Sequence, residues 1–491
     1  METSATELPA ILGGQPAVTL EQAQANRWPI ITEEDEQAVI EVMRSGNITT
    51  HPVARELERE YAKFTGRKFA LSHNNGTSAL MAAFFAIDLK PGDEVLVPTA
   101  TFWASVIPML WLGAVPVFCE SEDERLGLDP LDVEAKITDK TNAMVVVHLW
   151  GLPSRMTELQ AIADKHGLKI IEDASHAHGA KWRGRMCGSL GDVSVFSLQG
   201  DKLAPGGEGG VFLCDDEATL ERATCMGDMM RTLELRTPAA RFAGTTFGIK
   251  TRIAPVSAAI ARVQLRNLAK RNERRNANLI YLSNALEELG FQTYLGPEHV
   301  ERVYFEYLIR PDAERVDLPL DLLIEALVAE GCEAQQPRYP LLHQQPLFTE
   351  GTWRGIARLP DDMPVPEYRP DALPKAESGN AQLLKLPSFP NAERALLDQY
   401  LTAFRKVVGQ ARVILASRSS PARRRTKRDS QWLSRPAIER WQMKASINSR
   451  LPVQNFCLYS WPPCMKSNSV QPSLIARSML CSINCLPGAY L

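Results

Sequence analysis

The stretch Ile170-Ile-Glu-Asp-Ala-Ser-His-Ala-His-Gly-Ala180 decides how this chain is read. Two β-branched residues run into a pair of carboxylates and then into a turn holding two histidines. A carboxylate at the end of a buried strand is costly unless a cation or several donors meet it. Asp173 therefore either caps the following turn or holds a positive charge on a bound group.

Working outward, apolar runs at 69–72, 94–98, 115–119, 143–149, 168–172, 193–198 and 210–213 alternate with helical patterns at 77–88, 102–112 and 156–166. Nearly continuous apolar strands are those buried on both faces. The alternation predicts an α/β fold with a mainly parallel sheet. In such sheets ligands sit beyond the carboxyl ends of the strands, so the residues that follow each strand are where chemistry is to be sought.

Two further strand ends stand out. After 69–72 comes Asn74-Asn-Gly-Thr-Ser-Ala-Leu80, where Gly76, Thr77 and Ser78 open a helix. Free amides and two hydroxyls there form an anion cup, or simply an ordinary N-cap. After 193–198 comes Phe196-Ser-Leu-Gln-Gly-Asp-Lys-Leu-Ala-Pro-Gly-Gly-Glu-Gly-Gly210, with Lys202 beside a glycine-rich turn. A lone loop lysine is ordinarily a solvated charge; here it keeps company with an anion cup and a strand-end acid. Pyridoxal phosphate needs that trio: an amine for its Schiff base, an acid opposite the pyridine nitrogen and a phosphate cradle. An aromatic face over the ring is also expected, and Phe102-Trp103 follows the strand at 94–98.

The rest of the 491 residues falls into two parts and a tail. A helix at 255–289 has a polar middle and bridges a large domain, 1–289, to a smaller α+β domain, 290–413. The latter carries a strand at 303–309, a helix at 318–330 and a final helix at 391–408. Residues 414–491 read as a basic, disordered tail: 12 Lys/Arg against 2 Asp/Glu from residue 417 on, whereas the preceding residues balance at −13. The acidic body argues against a nucleic-acid partner. The uncharged run 95–119 is broken by Pro98, Pro108 and Pro116, which argues for a buried core rather than a membrane span. Cys119, Cys187, Cys214, Cys225 and Cys332 have neither metal spacing nor pairing logic. They read as reduced thiols of a cytoplasmic protein, and no metal site is expected.

The runs at 170–180, 196–210 and 74–80, with Glu94–Val106, His148–Gly151 and Tyr339–His343, resemble the DegT/DnrJ/StrS aminotransferases across residues 26–412. The resemblance implies a fold-type I pyridoxal-phosphate enzyme, an amino acid donor such as glutamate or glutamine, a keto-sugar nucleotide or keto-cyclitol acceptor, and a homodimer with a shared active site. By position, Lys202 carries the cofactor, Asp173 pairs with the pyridine nitrogen, His176 lies beside the cofactor and Phe102 stacks on it. Gly76, Thr77, Ser78 and Ser197 form the phosphate cradle, and His343 approaches the substrate. One position departs: the family's Gly-x-Asn-Tyr-Arg is here Gly248-Ile-Lys-Thr-Arg252, so Lys250 stands where an Asn reaches the neighbouring subunit's phosphate. Two alternatives remain, a pyridoxal- or pyridoxamine-phosphate sugar dehydratase and a non-catalytic regulatory relative. The former usually has His in place of Lys202.

Overall fold

In the computed structural model, residues 7–419 are described. Seven strands form the main sheet: β1 (Phe69–His73), β2 (Glu94–Pro98), β3 (Val115–Cys119), β4 (Thr141–Val147), β5 (Lys169–Asp173), β6 (Val193–Ser197) and β7 (Gly210–Cys214). Their order is β1-β7-β6-β5-β4-β2-β3. The five strands from β6 to β3 are parallel, and β7 runs antiparallel to both of its neighbours. Strands β2, β3, β6 and β7 are buried along their whole length, which is why their sequences show no polar alternation.

Helices cover the sheet. The helix Gly76–Ala86 is apolar on nearly every side and buries Ala79, Leu80, Ala82, Ala83 and Phe84, so it needs protein all around it. The predicted helix at 102–112 is instead a 3₁₀ turn at Trp103–Ser105 and one helical turn at Ile107–Leu110. Pro108 has no N–H to give the preceding turn; it starts a helix but cannot continue one. Two helices that the hydrophobic pattern did not reveal, Glu33–Arg44 and Val53–Thr65, pack along the long helix Pro255–Glu288. The first starts with a capping box between Thr32 and Asp35.

A second apolar cluster gathers the end of the long helix (Leu279, Leu282, Leu286), the strands Tyr307–Pro311 and Leu384–Leu386, and the helices Leu320–Ala329 and Arg394–Gly409. The expected border at 290 is crossed in both directions. Val18, from the N-terminal segment, packs into this second cluster. Leu342, Phe348, Trp353, Tyr368 and Leu373, expected in the small domain, pack into the core around the main sheet. The border at 414 also moves: the helix Ala411–Ser419 buries Ile414 completely. The rest of the expected tail, with its basic cluster, lies outside the described residues. The predicted strand at 303–309 begins only at Tyr307, which leaves Phe305 in irregular backbone beside the strand ends of the main sheet.

Gly210 marks the closest approach in the sheet. A Cβ there would lie 2.4 Å from the Asn75 carbonyl oxygen, a backbone atom that cannot swing aside. Gly210→Ala is expected to cost about 1–3 kcal/mol, the usual penalty of overpacking, read as a lower urea midpoint with an unchanged slope.

Candidate active site

Strand pairing alone brings three sequence-distant segments together. His73, the last residue of β1, pairs with Gly210, which pairs with Ser197, the last residue of β6. Asp173 ends β5, the next strand along. The loops after all three strands therefore open on one edge of the sheet.

The first loop forms the cup. Asn75 caps its helix by accepting the Ser78 N–H at 2.7 Å. The Gly76 and Thr77 amides belong to the first turn, where helices leave N–H groups without intrahelical partners. A Cβ on Gly76 would lie 2.8 Å from the Ser197 Cβ, so only glycine lets the two loops meet. Ser197 Oγ accepts the Gln199 N–H at 3.3 Å. The combination of helix N-terminus, hydroxyls and bare backbone suits a phosphate.

Lys202 lies in the loop after β6 and is only 8% exposed. Its Nζ sits 4.3 Å from the centroid of the Phe305 ring. The Trp28 indole N–H donates to the Lys202 carbonyl at 3.0 Å and ties the loop to the N-terminal segment. Burial pushes the Lys202 ammonium down to about 8, against the upward pull of the Asp173 carboxylate. Asp173 accepts from Ser105 Oγ at 2.7 Å and from the Ser175 N–H at 3.1 Å. Two donors thus fix a buried carboxylate within electrostatic reach of a buried amine.

Aromatic rings line the space beside them. His176 and Phe305 stack at 4.1 Å and 15°, Trp150 and Tyr339 at 4.8 Å and 14°. The Trp150 N–H points at His176 Nδ1 at 3.3 Å, so that nitrogen is the acceptor and Nε2 carries the proton towards Tyr339 Oη, also at 3.3 Å. Burial, reinforced by Lys202, pushes the His176 imidazolium well below its ordinary range. His176 is a neutral, oriented ring. Phe102 is 40% exposed and reaches Tyr339 at 5.9 Å between ring centroids; it opens the turn that supplies Ser105.

The sequence profile of the DegT/DnrJ/EryC1/StrS aminotransferase family matches residues 29–405. The chain belongs to this family. Among its relatives is an L-glutamine:2-deoxy-scyllo-inosose aminotransferase of Streptomyces fradiae, 33% identical over 364 residues, which span 71% of this chain and 86% of that protein. A protein of the same name from Streptoalloteichus tenebrarius is 33% identical over 344 residues, 67% of this chain and 81% of that one. Of solved structures, DesV of S. venezuelae is 32% identical with a TM-score of 0.65, covering 76% of this chain and 94% of that one. The aminotransferase from Psychrobacter cryohalolentis is 25% identical with a TM-score of 0.69, covering 80% and 99%. The protein is accordingly a pyridoxal-phosphate-dependent aminotransferase of α/β fold. Its own residues fit the cofactor: a glycine-gated cup, a desolvated amine and a strand-end acid share one edge.

One expected site residue is engaged elsewhere, and another stands at the border of the cup. His343 is 1% exposed, its Nδ1 bonded to Thr99 Oγ1 at 2.6 Å and its Nε2 to Glu377 at 3.1 Å. With both nitrogens engaged it ties the 341–383 segment to the end of β2 and presents nothing to a substrate. Lys250 is exposed, in a segment whose neighbour Thr251 accepts the Asn74 N–H at 2.5 Å, so it borders the cup rather than entering it. Sequence reading missed Ser105, Trp150 and Phe305. Ser105 lay inside an expected helix and Phe305 inside an expected strand, so neither carried a signal of its own.

A pH profile follows from the Lys202 environment. In the cofactor-free protein, the rate at which Lys202 condenses with added pyridoxal phosphate should rise through pH about 8 and then level off. Asp173→Asn removes the carboxylate that favours the ammonium, so the midpoint should shift to lower pH. Absorbance stopped-flow measures both.

Proposed function

We propose that this enzyme moves the α-amino group of glutamine or glutamate to a keto-cyclitol or keto-sugar nucleotide, with Lys202 as the catalytic amine. The observation that carries the reading is Lys202 itself, a buried amine with a lowered pKa at the strand edge where Asp173 is held by two donors. Two relatives named for L-glutamine and 2-deoxy-scyllo-inosose support the choice of substrates.

Gly76, Thr77, Ser78 and Ser197 would hold the cofactor phosphate, Asp173 its ring nitrogen, Lys202 its aldehyde carbon, and Phe102 and His176 its ring. Bound there, pyridoxal phosphate supplies an electron sink for breaking the Cα–H bond of the donor. With the cofactor bound, Lys202, whose ammonium burial disfavours, would serve as the general acid and base that moves the proton between the donor's Cα and C4′. Asp173, held by Ser105, would oppose the positive charge at the ring nitrogen. His176 offers no positive charge to compete with it, since burial keeps it neutral. The stacked rings of Trp150, Phe305 and Tyr339 restrict water at the reacting face.

A homodimer with a shared site also belongs to this reading. The segment that carries Lys250 also exposes apolar side chains: Phe247 is 49% exposed and Ile249 75%. Lys250 sits among these residues, where its ammonium would reach the phosphate of a second copy as a point charge. A dehydratase is disfavoured because Lys202 is retained.

Two outcomes test the reading. Purified protein should be yellow, and borohydride should fix a pyridoxyl group on the peptide containing Lys202; Lys202→Ala should abolish both. Glutamine or glutamate should bleach the unreduced enzyme and release the matching 2-oxo acid in single turnover. Failure to bleach would favour the dehydratase, and a colourless protein that takes up no added cofactor would defeat any catalytic reading. Ser105→Ala, which removes one of the two donors on Asp173 without touching the Lys202 loop, should lower the bleaching rate about tenfold, the scale of one lost hydrogen bond to a charged group.

A further inference from the structure

Arg338 is a cation that the fold leaves largely unused. Its Nη2 pairs with Glu306 Oε1, an atom that already receives Lys385 Nζ at 2.7 Å. Its Nη1 lies 3.6 Å from Asp201 Oδ2, too far for a hydrogen bond, and the two side chains are 41% and 59% exposed. Exposed ion pairs of this kind contribute about 0–1 kcal/mol. Arg338 makes no other ion pair or hydrogen bond among the described residues. A guanidinium carries five N–H donors, so most of these are left without a protein partner. Asp201, Phe305, Glu306 and Arg338 line a cavity of about 270 Å³, which gives the free donors open space.

Four contacts place this cation at the amine. Asp201, which it approaches, immediately precedes Lys202 in the chain. Lys202 Nζ lies 4.3 Å from the Phe305 ring centroid and the Arg338 guanidinium carbon 5.6 Å from it, so both cations meet one ring. Tyr339, the next residue, contacts His176 Nε2 at 3.3 Å and stacks on Trp150, which fixes the backbone that carries Arg338. Burial is the main cause that lowers the pKa of Lys202 and of His176, and the Arg338 charge adds to it at both, as only a nearby cation can.

An unused guanidinium beside the amine has a chemical complement. Every α-amino acid carries a carboxylate on the carbon that bears its reacting nitrogen. A planar carboxylate matches the guanidinium fork and can form two parallel hydrogen bonds where Asp201 makes one long contact. A keto-cyclitol has no carboxylate, and with it bound Asp201 remains as the counter-charge. We propose that Arg338 is the specificity residue that receives the α-carboxylate of the amino donor, displacing Asp201, so that one guanidinium serves both half-reactions. It moves no proton and forms no bond to the reacting atoms. This rests on the aminotransferase reading and goes beyond it by naming the group that recognises the donor as an amino acid.

The test uses the cofactor-loaded enzyme reduced with borohydride, which binds but cannot turn over. The probes are L-glutamine and its α-amide, which differ only at the α-carboxylate. Calorimetric titration should show L-glutamine binding at least about tenfold more tightly, the scale of a hydrogen bond to a charged group. Arg338→Gln should bring the two within about threefold, and Arg338→Lys, which keeps the charge without the fork, should fall between. Asp201→Asn removes the competing carboxylate and should tighten L-glutamine about threefold, a gain that disappears in the Arg338→Gln background because the two residues act on one ligand group. Equal binding of the two probes, a preference that survives Arg338→Gln, or an Asp201→Asn gain independent of residue 338 would overturn the proposal. A protein on which borohydride fixes no cofactor would overturn the aminotransferase reading first, whereas a loaded enzyme whose preference ignores Arg338 overturns this inference alone.

Discussion

An amine stripped of water beside a fixed carboxylate is the interaction on which the site depends. Lys202 would be an ordinary solvated charge if its loop lay on the surface, and Asp173 an ordinary turn cap. Burial makes the ammonium expensive and so frees the lone pair. The carboxylate keeps that expense from becoming prohibitive. Much of the surrounding structure serves to hold these two groups in a dry place: Trp28 grips the Lys202 carbonyl, Ser105 and the Ser175 amide grip Asp173, and four near-parallel rings close one side.

The strand behind Asp173 is braced as firmly as the residue itself. Glu172, fully buried and pointing to the other face, receives His148 Nε2 at 2.8 Å and the Leu190 and Gly191 amides at 2.8 and 3.1 Å, with the Gly188 amide as a further donor. Cys187 lies close enough to His148 and Glu172 to suggest a metal cluster. His148 Nδ1 accepts the Ser154 N–H, which leaves the proton on Nε2, so that nitrogen donates to Glu172 rather than offering a lone pair. The paired carboxylates of the 170–180 stretch thus divide their labour by the two-residue period of a strand: one anchors the fold, the other faces the site.

The segments that leave the sheet and return show how chain order and spatial order part. Residues 341–383 lie late in the chain, yet their aromatic side chains enter the main core, and His343 clamps them to Thr99 at the end of β2. The N-terminal segment makes the opposite excursion. Val18 packs with the small cluster, while Trp28 holds the loop that carries Lys202. The long helix Pro255–Glu288 makes both excursions possible, since its two halves belong to different cores.

Sequence alone determined the α/β class, the strand order along the chain and the three chemical elements after strands β1, β5 and β6. These are local properties: an uninterrupted apolar run, a glycine before two hydroxyls at a helix start, a strand-end acid, a lysine beside clustered glycines. The reading placed β2, β3 and the helix Met156–His166 with the borders observed, because Pro, Gly and charge punctuate them. It misassigned His343, because a histidine that satisfies two buried partners and one that awaits a substrate look alike in sequence. It overlooked Ser105, Trp150 and Phe305 as parts of the site, because each sits in a turn or an irregular segment with no periodicity. Only the tertiary structure decided which carboxylate is held, which rings stack and which polar atoms are left without a partner. Those depend on packing between segments hundreds of residues apart, and no local pattern encodes such packing.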